Sequence, residues 1–331
     1  MRLSLIALAI ALLGASPADG AVLAVPGDHP SVQAALEAAE DGDEIRVAPG
    51  TYVEHVDFLG KAVTVGGSGP ETVLQGTGKG SVVTFASGEG PDSILDSVTV
   101  TGGSAPMGGG ILIMGASPTI RRSVIADNAA SSRGSGIYVG GAAAAPHIHN
   151  NLVMYNVHTA GDPHAIQSNG ASPRLVNNTV VRNDSNGMFL TGGGIAEVVN
   201  NILAFNGSRP RGEGKRGRGI CDFNEGSIIR YNLFHRNRVA ALLYAGKDFR
   251  RIKRAERRLS ERQLTDNRDG NPRFVRRRLP KDGTRVTPAD FSLKPRARRA
   301  IGAGDSDAVF NDADGTRNTL GHTGGPYGVR F

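Results

Sequence analysis

A pattern of apolar and polar positions recurs through the middle of the chain. Each copy has an aliphatic residue, a Ser or Asn three positions later, an apolar pair, and an Asn five positions after that first Ser or Asn. The first polar positions are Ser123, Asn151, Asn178, Asn201 and Asn232, and the second are Asn128, Asn156, Asn183, Asn206 and Asn237. An earlier copy at 93–102 has Ser97 and Gly102 at these two positions. First positions that recur every 23 to 31 residues predict a solenoid in which each repeat forms one coil.

Stacking of the coils explains which residues recur. Equivalent side chains of neighbouring coils lie above one another at the strand spacing of about 4.8 Å. We therefore expect one buried aliphatic stack, formed by Ile94, Ile120, Ile148, Leu175, Val198 and Ile229. The recurring Asn residues can adopt a left-handed conformation at a turn, and their amides can bond to the Asn above and below. We interpret them as structural residues.

The two ends of the solenoid carry their own patterns. Residues 30–43 have apolar positions at helical spacing after Ser31, which predicts a helix that caps the first coil. Residues 247–267 predict a basic helix that leaves the solenoid, and a tail rich in Gly, Pro and Asp follows it. We divide the chain into an N-terminal segment (1–20), a capped solenoid (21–245), and a basic helix with a C-terminal wrapping tail (246–331).

The N-terminal segment predicts export. Arg2 precedes an apolar run of about a dozen residues and then small residues, which is the pattern of a cleaved secretory signal peptide. The run is too short for a membrane-spanning helix, so we expect no membrane span. Cys221 is the only cysteine, so an intrachain disulfide is impossible.

Positive charge is concentrated in the C-terminal half. Residues 209–299 carry 27 Lys and Arg against 10 Asp and Glu, within a chain of net charge +7. Such a basic segment can face an anionic partner, or it can be a solvated surface. Because we expect export, we predict no nucleic-acid partner and favour an acidic polysaccharide or an anionic envelope surface.

Two regions resemble a known superfamily. The segment 29–69 is similar to the opening of pectin-lyase-like right-handed parallel β-helix proteins. NPRF (271–274), DFSLKP (290–295), AIGAGD (300–305) and DADGTRNTLGHTGGP (312–326) resemble the C-terminal part of many secreted bacterial β-helix proteins. The resemblance implies an all-β chain folded as a right-handed parallel β-helix. It does not imply one activity, because the superfamily holds lyases, hydrolases, esterases, epimerases and proteins of no known activity.

The functional motifs of these families match only in part. PGTYVE (49–54) resembles the first motif of pectin methylesterases, but the later motifs of that family have no match. Pectate lyases cluster carboxylates for calcium, whereas the outward positions here carry Arg121, His149 and Arg174. The segment 312–318 is a candidate calcium loop with Asp312, Asp314 and Asn318 as ligands; the alternative is a tight Asp–Gly turn.

GDPHA (161–165) resembles the Asp–Pro–His motif of alginate C5-epimerases, although Ala165 replaces the acidic residue that follows it there. Acting on a uronate requires a base at the C5 proton, a proton donor, and a cation that neutralises the carboxylate. We therefore name His164, Asp162, Arg182 and His149 as candidate catalytic residues. Candidate substrate-binding residues are Arg133, Arg174 and Tyr155. The alternative is that Asp–Pro only starts a turn.

These observations lead to one hypothesis with alternatives. We expect an exported, monomeric β-helix that binds or processes an acidic polysaccharide as a lyase or epimerase, with its site near 149–184. A non-catalytic surface or carbohydrate-binding solenoid is the alternative. A periplasmic maturation or metal-handling factor is a third possibility.

Overall fold

The computed structural model describes residues 20–161, 164–207, 217–224, 226–259, 264–275 and 287–329. The predicted signal peptide therefore lies outside the described residues, except for Gly20. Within the described part, almost all regular structure is β-strand arranged in three long sheets, which we call sheets A, B and C. Each coil passes through A, B and C in turn, and neighbouring coils pair in parallel.

The strands of each sheet follow in chain order. Sheet A contains β1 (Val22–Val25), β2 (Glu44–Val47), β5 (Thr64–Gly66), β8 (Ile94–Asp96), β12 (Thr119–Arg121), β16 (His147–His149), β20 (Arg174–Val176), β23 (Glu197–Val199), β26 (Ile228–Arg230) and β30 (Leu264–Thr265). Sheet B contains β3 (Gly50–Val53), β6 (Thr72–Gln75), β9 (Thr99–Thr101), β13 (Val124–Ala126), β17 (Leu152–Met154), β21 (Thr179–Val181), β24 (Ile202–Ala204), β27 (Leu233–His235) and β31 (Arg268–Asp269). Sheet C contains β4 (Val56–Asp57), β7 (Val83–Phe85), β11 (Ile111–Met114), β15 (Ile137–Gly140), β19 (Ile166–Asn169), β22 (Met188–Thr191), β25 (Arg218–Asp222), β28 (Ala240–Tyr244) and the antiparallel β29 (Lys247–Phe249).

A short fourth sheet forms in the turns between sheets B and C. It contains β10 (Ser104–Met107), β14 (Ala129–Arg133) and β18 (Val157–His158). The architecture confirms the predicted parallel β-helix.

The middle residue of each sheet A strand points into the core. The stack runs through Ile45, Val65, Leu95, Ile120, Ile148, Leu175, Val198 and Ile229. The predicted stack is confirmed except at its first member, because Leu95 rather than Ile94 pairs with Ile120. Ile94 pairs with Thr119 and points outward. A shift of one residue moves a side chain to the other face of a strand.

The recurring Asn residues form two buried hydrogen-bonded ladders. Asn178 is typical: its Nδ2 donates to the Ile148 carbonyl (2.7 Å) and to Asn201 Oδ1 (3.1 Å). Its own Oδ1 accepts from the backbone N (3.1 Å) and the Nδ2 (3.1 Å) of Asn151. The ladder prediction is confirmed, and the first ladder continues to Asn267.

The predicted left-handed conformation of these Asn residues is wrong. The residue before each of them is left-handed instead, with φ of 57° at Asn150, 54° at Asn177 and 61° at Asn200. The chain turns at this preceding residue, and the ladder Asn then points inward. In the earliest copy, the predicted ladder positions lie one residue too early. Ser97 and Gly102 are the left-handed residues, and the ladder positions that follow them are Val98 and Gly103.

Both ends are covered by short helices. Helix α1 (Val32–Ala38) begins after Ser31, whose hydroxyl accepts from the Ala34 backbone N (3.1 Å), as predicted. Helix α2 (Ile252–Arg258) is shorter than the predicted basic helix. It does not leave the solenoid: Ile252 and Ala255 are buried in the main core, and β30 and β31 follow it as a further coil.

The C-terminal tail packs along the outward side of sheet B. Its apolar residues Phe291, Ala300, Ala303 and Leu320 form one cluster with the outward residues of that sheet. Those residues include Val124, Leu152, Val181, Ile202 and Leu233. Sheet B is therefore buried on both faces over these coils, which explains the all-apolar triplets of β13, β17 and β24.

Candidate functional site

A groove lies on the outward face of sheet A. Strand residues alternate between faces, so the first and third residues of each three-residue strand point out. Two outward columns result over β8, β12, β16 and β20: Ile94, Thr119, His147 and Arg174 form one, and Asp96, Arg121, His149 and Val176 form the other. A cavity of about 370 Å³ lies over these columns, with Val309, Phe310, Pro326 and Tyr327 of the tail as its wall.

The left-handed Asn residues hold this wall in place. Asn150 Nδ2 donates to the Gly324 carbonyl (2.5 Å), and Asn177 Nδ2 donates to the Thr319 carbonyl (3.1 Å). Asn200 Oδ1 accepts from the Asp305 backbone N (2.8 Å). The same column of residues that turns the chain from sheet A to sheet B therefore binds the tail beside the groove.

His149 is the central titratable residue of the groove. Its ring lies 5.1 Å from the Tyr327 ring and 5.7 Å from the His147 ring, measured between centroids. Its Nδ1 lies 3.0 Å from Asn150 Oδ1. Because Asn150 Nδ2 donates to the tail, Oδ1 is an acceptor, and the neutral imidazole must carry its proton on Nδ1. Nε2 is then left with its lone pair.

Burial keeps His149 neutral. It lowers the pKa of His149 to about 4, and the charge of Arg121 contributes in the same direction. Burial and the charge of Arg174 also lower the pKa of His147. Both imidazoles are therefore uncharged at neutral pH.

Cations surround the two histidines. The Arg121 guanidinium lies 5.8 Å from the centroid of the Tyr327 ring and donates from Nε to Asp96 (2.8 Å). Burial alone would raise the pKa of Asp96, but hydrogen bonds from Arg122 and Ser97 and the two arginine charges hold that pKa below its usual value. On the other side, Arg174 is paired with Glu197 (2.6 Å).

The groove continues along sheet A toward the N-terminal coils. A second cavity of about 670 Å³ shares Arg121 with the first and reaches Glu44 and Arg46. Together the two cavities form an elongated track on one face, with Arg121 at their junction.

The chain matches the model of a known protein family. A family model described as the right-handed beta helix region matches residues 87–252. The chain belongs to the right-handed β-helix family. The crystal structure of the pectate lyase Pel9A is similar to it at 14% identity, with a TM-score of 0.44, 91% of this chain covered and 95% of that one. No curated protein matches the chain.

The predicted site residues of this β-helix protein lie on three sides of the coil. His149 and Arg174 lie together in the groove. Tyr155 and Arg182 are the left-handed residues of the turn between sheets B and C. His164 and Arg133 lie in the segments that lead into sheet C, and Asp162 lies outside the described residues.

His164 is buried against residues of the next coil. It is 3% exposed, stacks on Phe189 with a centroid distance of 4.2 Å, and has Nδ1 3.0 Å from Asn186 Nδ2. Arg133 donates from Nη1 to the Tyr138 hydroxyl (3.3 Å). The catalytic role of His164 stays a prediction, but the structure does not place it in the groove with His149.

Tyr155 and Arg182 have structural contacts of their own. The Arg182 guanidinium lies 5.0 Å from the Phe205 ring centroid, and burial lowers the pKa of Arg182. The Tyr155 ring lies 6.3 Å from that of Phe291 in the tail. Their predicted roles toward substrate remain untested.

The candidate calcium residues organise the tail instead of presenting free oxygens. Asp312 accepts from the Thr319 backbone N (2.8 Å), the Thr319 hydroxyl (2.7 Å) and the Gly325 backbone N (2.7 Å). Asp314 accepts from Thr316, and Asn318 Nδ2 donates to the Phe310 carbonyl. These bonds fit the tight-turn alternative, and the calcium-binding role of the three residues stays a prediction. The described part of the chain also holds no group of three or more His, Cys, Asp or Glu that could bind a metal ion.

Sequence reasoning identified some groove residues and missed others. Arg121, His149 and Arg174 were recognised as outward residues. The His–x–His spacing of 147 and 149 is a local signal, because residues two apart in a strand share a face. Tyr327 has no such signal, since only the packing of the tail brings it to His149. In the part of the chain that the structure covers, neither helix is long and apolar enough to cross a bilayer.

Proposed function

We propose that this β-helix protein binds an acidic polysaccharide along the sheet A groove and acts on it by proton abstraction, as a lyase or an epimerase. One observation carries the proposal: a neutral imidazole, His149, faces a cavity beside the Arg121 guanidinium and the Tyr327 phenol. These three groups supply a proton acceptor, a positive charge and a proton donor. Abstraction of a proton next to a carboxylate needs all three.

In the proposed step, Nε2 of His149 takes the proton from C5 of a uronate, whose carboxylate is stabilised by Arg121 or Arg174. In a lyase, the electron pair forms the C4–C5 double bond, the C4–O bond breaks, and the Tyr327 hydroxyl protonates the leaving oxygen. In an epimerase, the C4–O bond stays intact, and the Tyr327 hydroxyl is the candidate donor that returns a proton to C5 from the opposite face.

A binding protein without catalysis is the second candidate, and one observation favours it. Arg121 and Arg174 are already paired with Asp96 and Glu197, so part of their charge is neutralised within the groove. Such paired cations still attract an anionic chain through their remaining hydrogen-bond donors. Export and action as a monomer are part of the proposal in either case.

Product formation separates the two candidates. The purified protein is incubated with alginate, pectate and glycosaminoglycans, followed by ultraviolet absorbance for unsaturated ends and by NMR for epimerisation. We expect product on at least one polymer and a loss of at least about 100-fold in kcat for His149→Gln and Tyr327→Phe. His147→Gln is the matched control and should lose less than about tenfold. If the protein binds a polymer but forms product on none of those tested, the non-catalytic candidate is favoured.

A further inference from the structure

A third cavity, which we call the basic cavity, lies in the C-terminal part of the chain, outside the sheet A groove. It measures about 940 Å³ and is lined by Arg273, Lys294, Arg296, Arg298 and Arg299, together with Asn271 and Phe274. All five cationic side chains are exposed, and none of the described residues that line the cavity is acidic. None of the five forms an ion pair with any carboxylate that the structure describes; Arg299 donates only to the Asp269 carbonyl (3.1 Å).

The backbone beneath this cavity is well ordered by its own contacts. The segments around Phe274 and Leu293 form an antiparallel bridge, with Val275 N donating to Ser292 O (2.8 Å) and Lys294 N to Arg273 O (3.0 Å). The Phe274 and Phe291 rings pack edge to face, 5.5 Å apart. Ala297 and Ala300 are fully buried, which directs the residues between and beside them outward.

Among the described residues, these like charges lie together without a carboxylate partner. Cations that share a surface repel each other and raise the local positive potential, which attracts an anion of matching extent. Arginine side chains suit carboxylate and sulfate groups because their planar donors can bond two oxygens at once. Five cations around one cavity match a chain of repeated negative charges better than a single small anion.

We propose that the basic cavity is an exosite that holds a second stretch of the same acidic polysaccharide. The identity of the ligand rests on the function proposed above, but the site itself shares no residue with the groove. The tail connects the two places, since residues between 294 and 299 line the cavity and the pairs 309–310 and 326–327 wall the groove. A polymer bound at both would be held more tightly than an oligosaccharide bound at one.

Binding of fluorescein-labelled polygalacturonate, measured by anisotropy at low salt, tests the exosite. The variant Arg273→Gln/Arg296→Gln/Arg298→Gln removes three charges from the cavity. The matched control Arg254→Gln/Arg257→Gln/Arg258→Gln removes three exposed charges from helix α2. We expect the cavity variant to bind at least about tenfold more weakly and the helix variant less than about threefold more weakly. Equal losses would overturn the proposal, because they would show a response to net charge alone.

A third variant separates this proposal from the proposed function. His149→Gln/Arg121→Gln alters the groove and leaves the cavity unchanged. If this variant loses product formation but still binds the polymer through the cavity, both proposals are supported. If neither the unmodified protein nor any variant makes product on any polymer, and only the cavity variant loses binding, the catalytic proposal fails and the exosite stands. If the cavity variant binds as tightly as the unmodified protein, the exosite is wrong whatever the groove does.

Discussion

The ladder asparagines of this protein use all of their hydrogen-bonding capacity inside the core. Asn178 is fully buried, and its amide makes two donated and two accepted bonds. Removal of the amide takes its acceptor from the buried Asn151 backbone N–H and one bond each from Asn151 Nδ2 and the Ile148 carbonyl, and an unpaired buried polar group costs about 1–3 kcal/mol. We expect Asn178→Ala to lower the free energy of unfolding by about 2–4 kcal/mol in urea titrations.

Asn311→Ala is the control for this prediction. Asn311 is only half-buried, and its side chain donates one bond, to the Gly315 carbonyl (3.2 Å). We expect a change below about 1 kcal/mol. Similar losses for the two variants would mean that the ladder contributes no more than an ordinary surface amide.

At the residue scale, spacing predicted which Asn residues repeat but not which residue turns the chain. Three of the five left-handed positions hold Asn (Asn150, Asn177 and Asn200), which tolerates this conformation, but the equivalent positions hold Arg122 and Tyr231. Composition alone therefore does not identify the turning residue in every coil. Ile94 was misplaced for a related reason: both Ile94 and Leu95 are aliphatic, and only the strand register selects Leu95 as the inward residue.

At the scale of elements, the tail was the least predictable part. Its resemblance to other β-helix proteins indicated a C-terminal segment, but no local pattern indicated that it covers sheet B or walls the groove. Its docking depends on contacts between residues far apart in the chain, such as Asn177 with Thr319 and Thr179 with His322. The strands and the capping helix α1 were predictable because their signals are local.

The docking of the tail should depend on pH through His322. This residue is buried, its Nδ1 lies 2.9 Å from the Thr179 hydroxyl, and burial lowers its pKa to about 3. The unfolded chain binds the same proton with a pKa near 6.5. Stability from His322 is therefore complete above pH 6.5 and falls as the pH drops, by about 3 kcal/mol at pH 4. His149 adds a loss of similar size, because its pKa is also lowered, to about 4.

Urea unfolding at pH 7, 5.5 and 4 measures this dependence. We expect His322→Gln to be less stable than the unmodified protein at pH 7 and to lose about half as much stability on acidification. Glutamine keeps a polar group near Thr179 but does not titrate. An unchanged loss between pH 7 and pH 4 in this variant would contradict the assignment to His322.

At the scale of the whole molecule, charge is distributed unevenly along the solenoid. The outward face of sheet A carries paired charges and two histidines, whereas the basic cavity in the C-terminal part carries cations that form no ion pair with a carboxylate among the described residues. The sequence predicted a basic excess over 209–299, a segment that includes the predicted basic helix at 247–267. In the structure, the cationic residues that line the basic cavity come from the tail and not from α2. The net charge of the segment does not show which of these two elements forms the cavity.

A solenoid of this kind should tolerate the removal of one complete coil, because each coil packs mainly on its two neighbours. Val65 and Leu95 are paired, so they hold equivalent positions in neighbouring coils. Deletion of 66–95 therefore joins Val65 to Asp96. The strands β2, β3 and β4 can then pair with the coil beyond in unchanged register. The deleted coil contributes no residue to the cluster beneath the tail. We expect this variant to keep the far-UV circular dichroism of a β-sheet protein and a cooperative urea transition. Deletion of 66–80, half as long, breaks the stacking register and should unfold the chain. If the shorter deletion is the better tolerated of the two, stability does not depend on the coil as a unit.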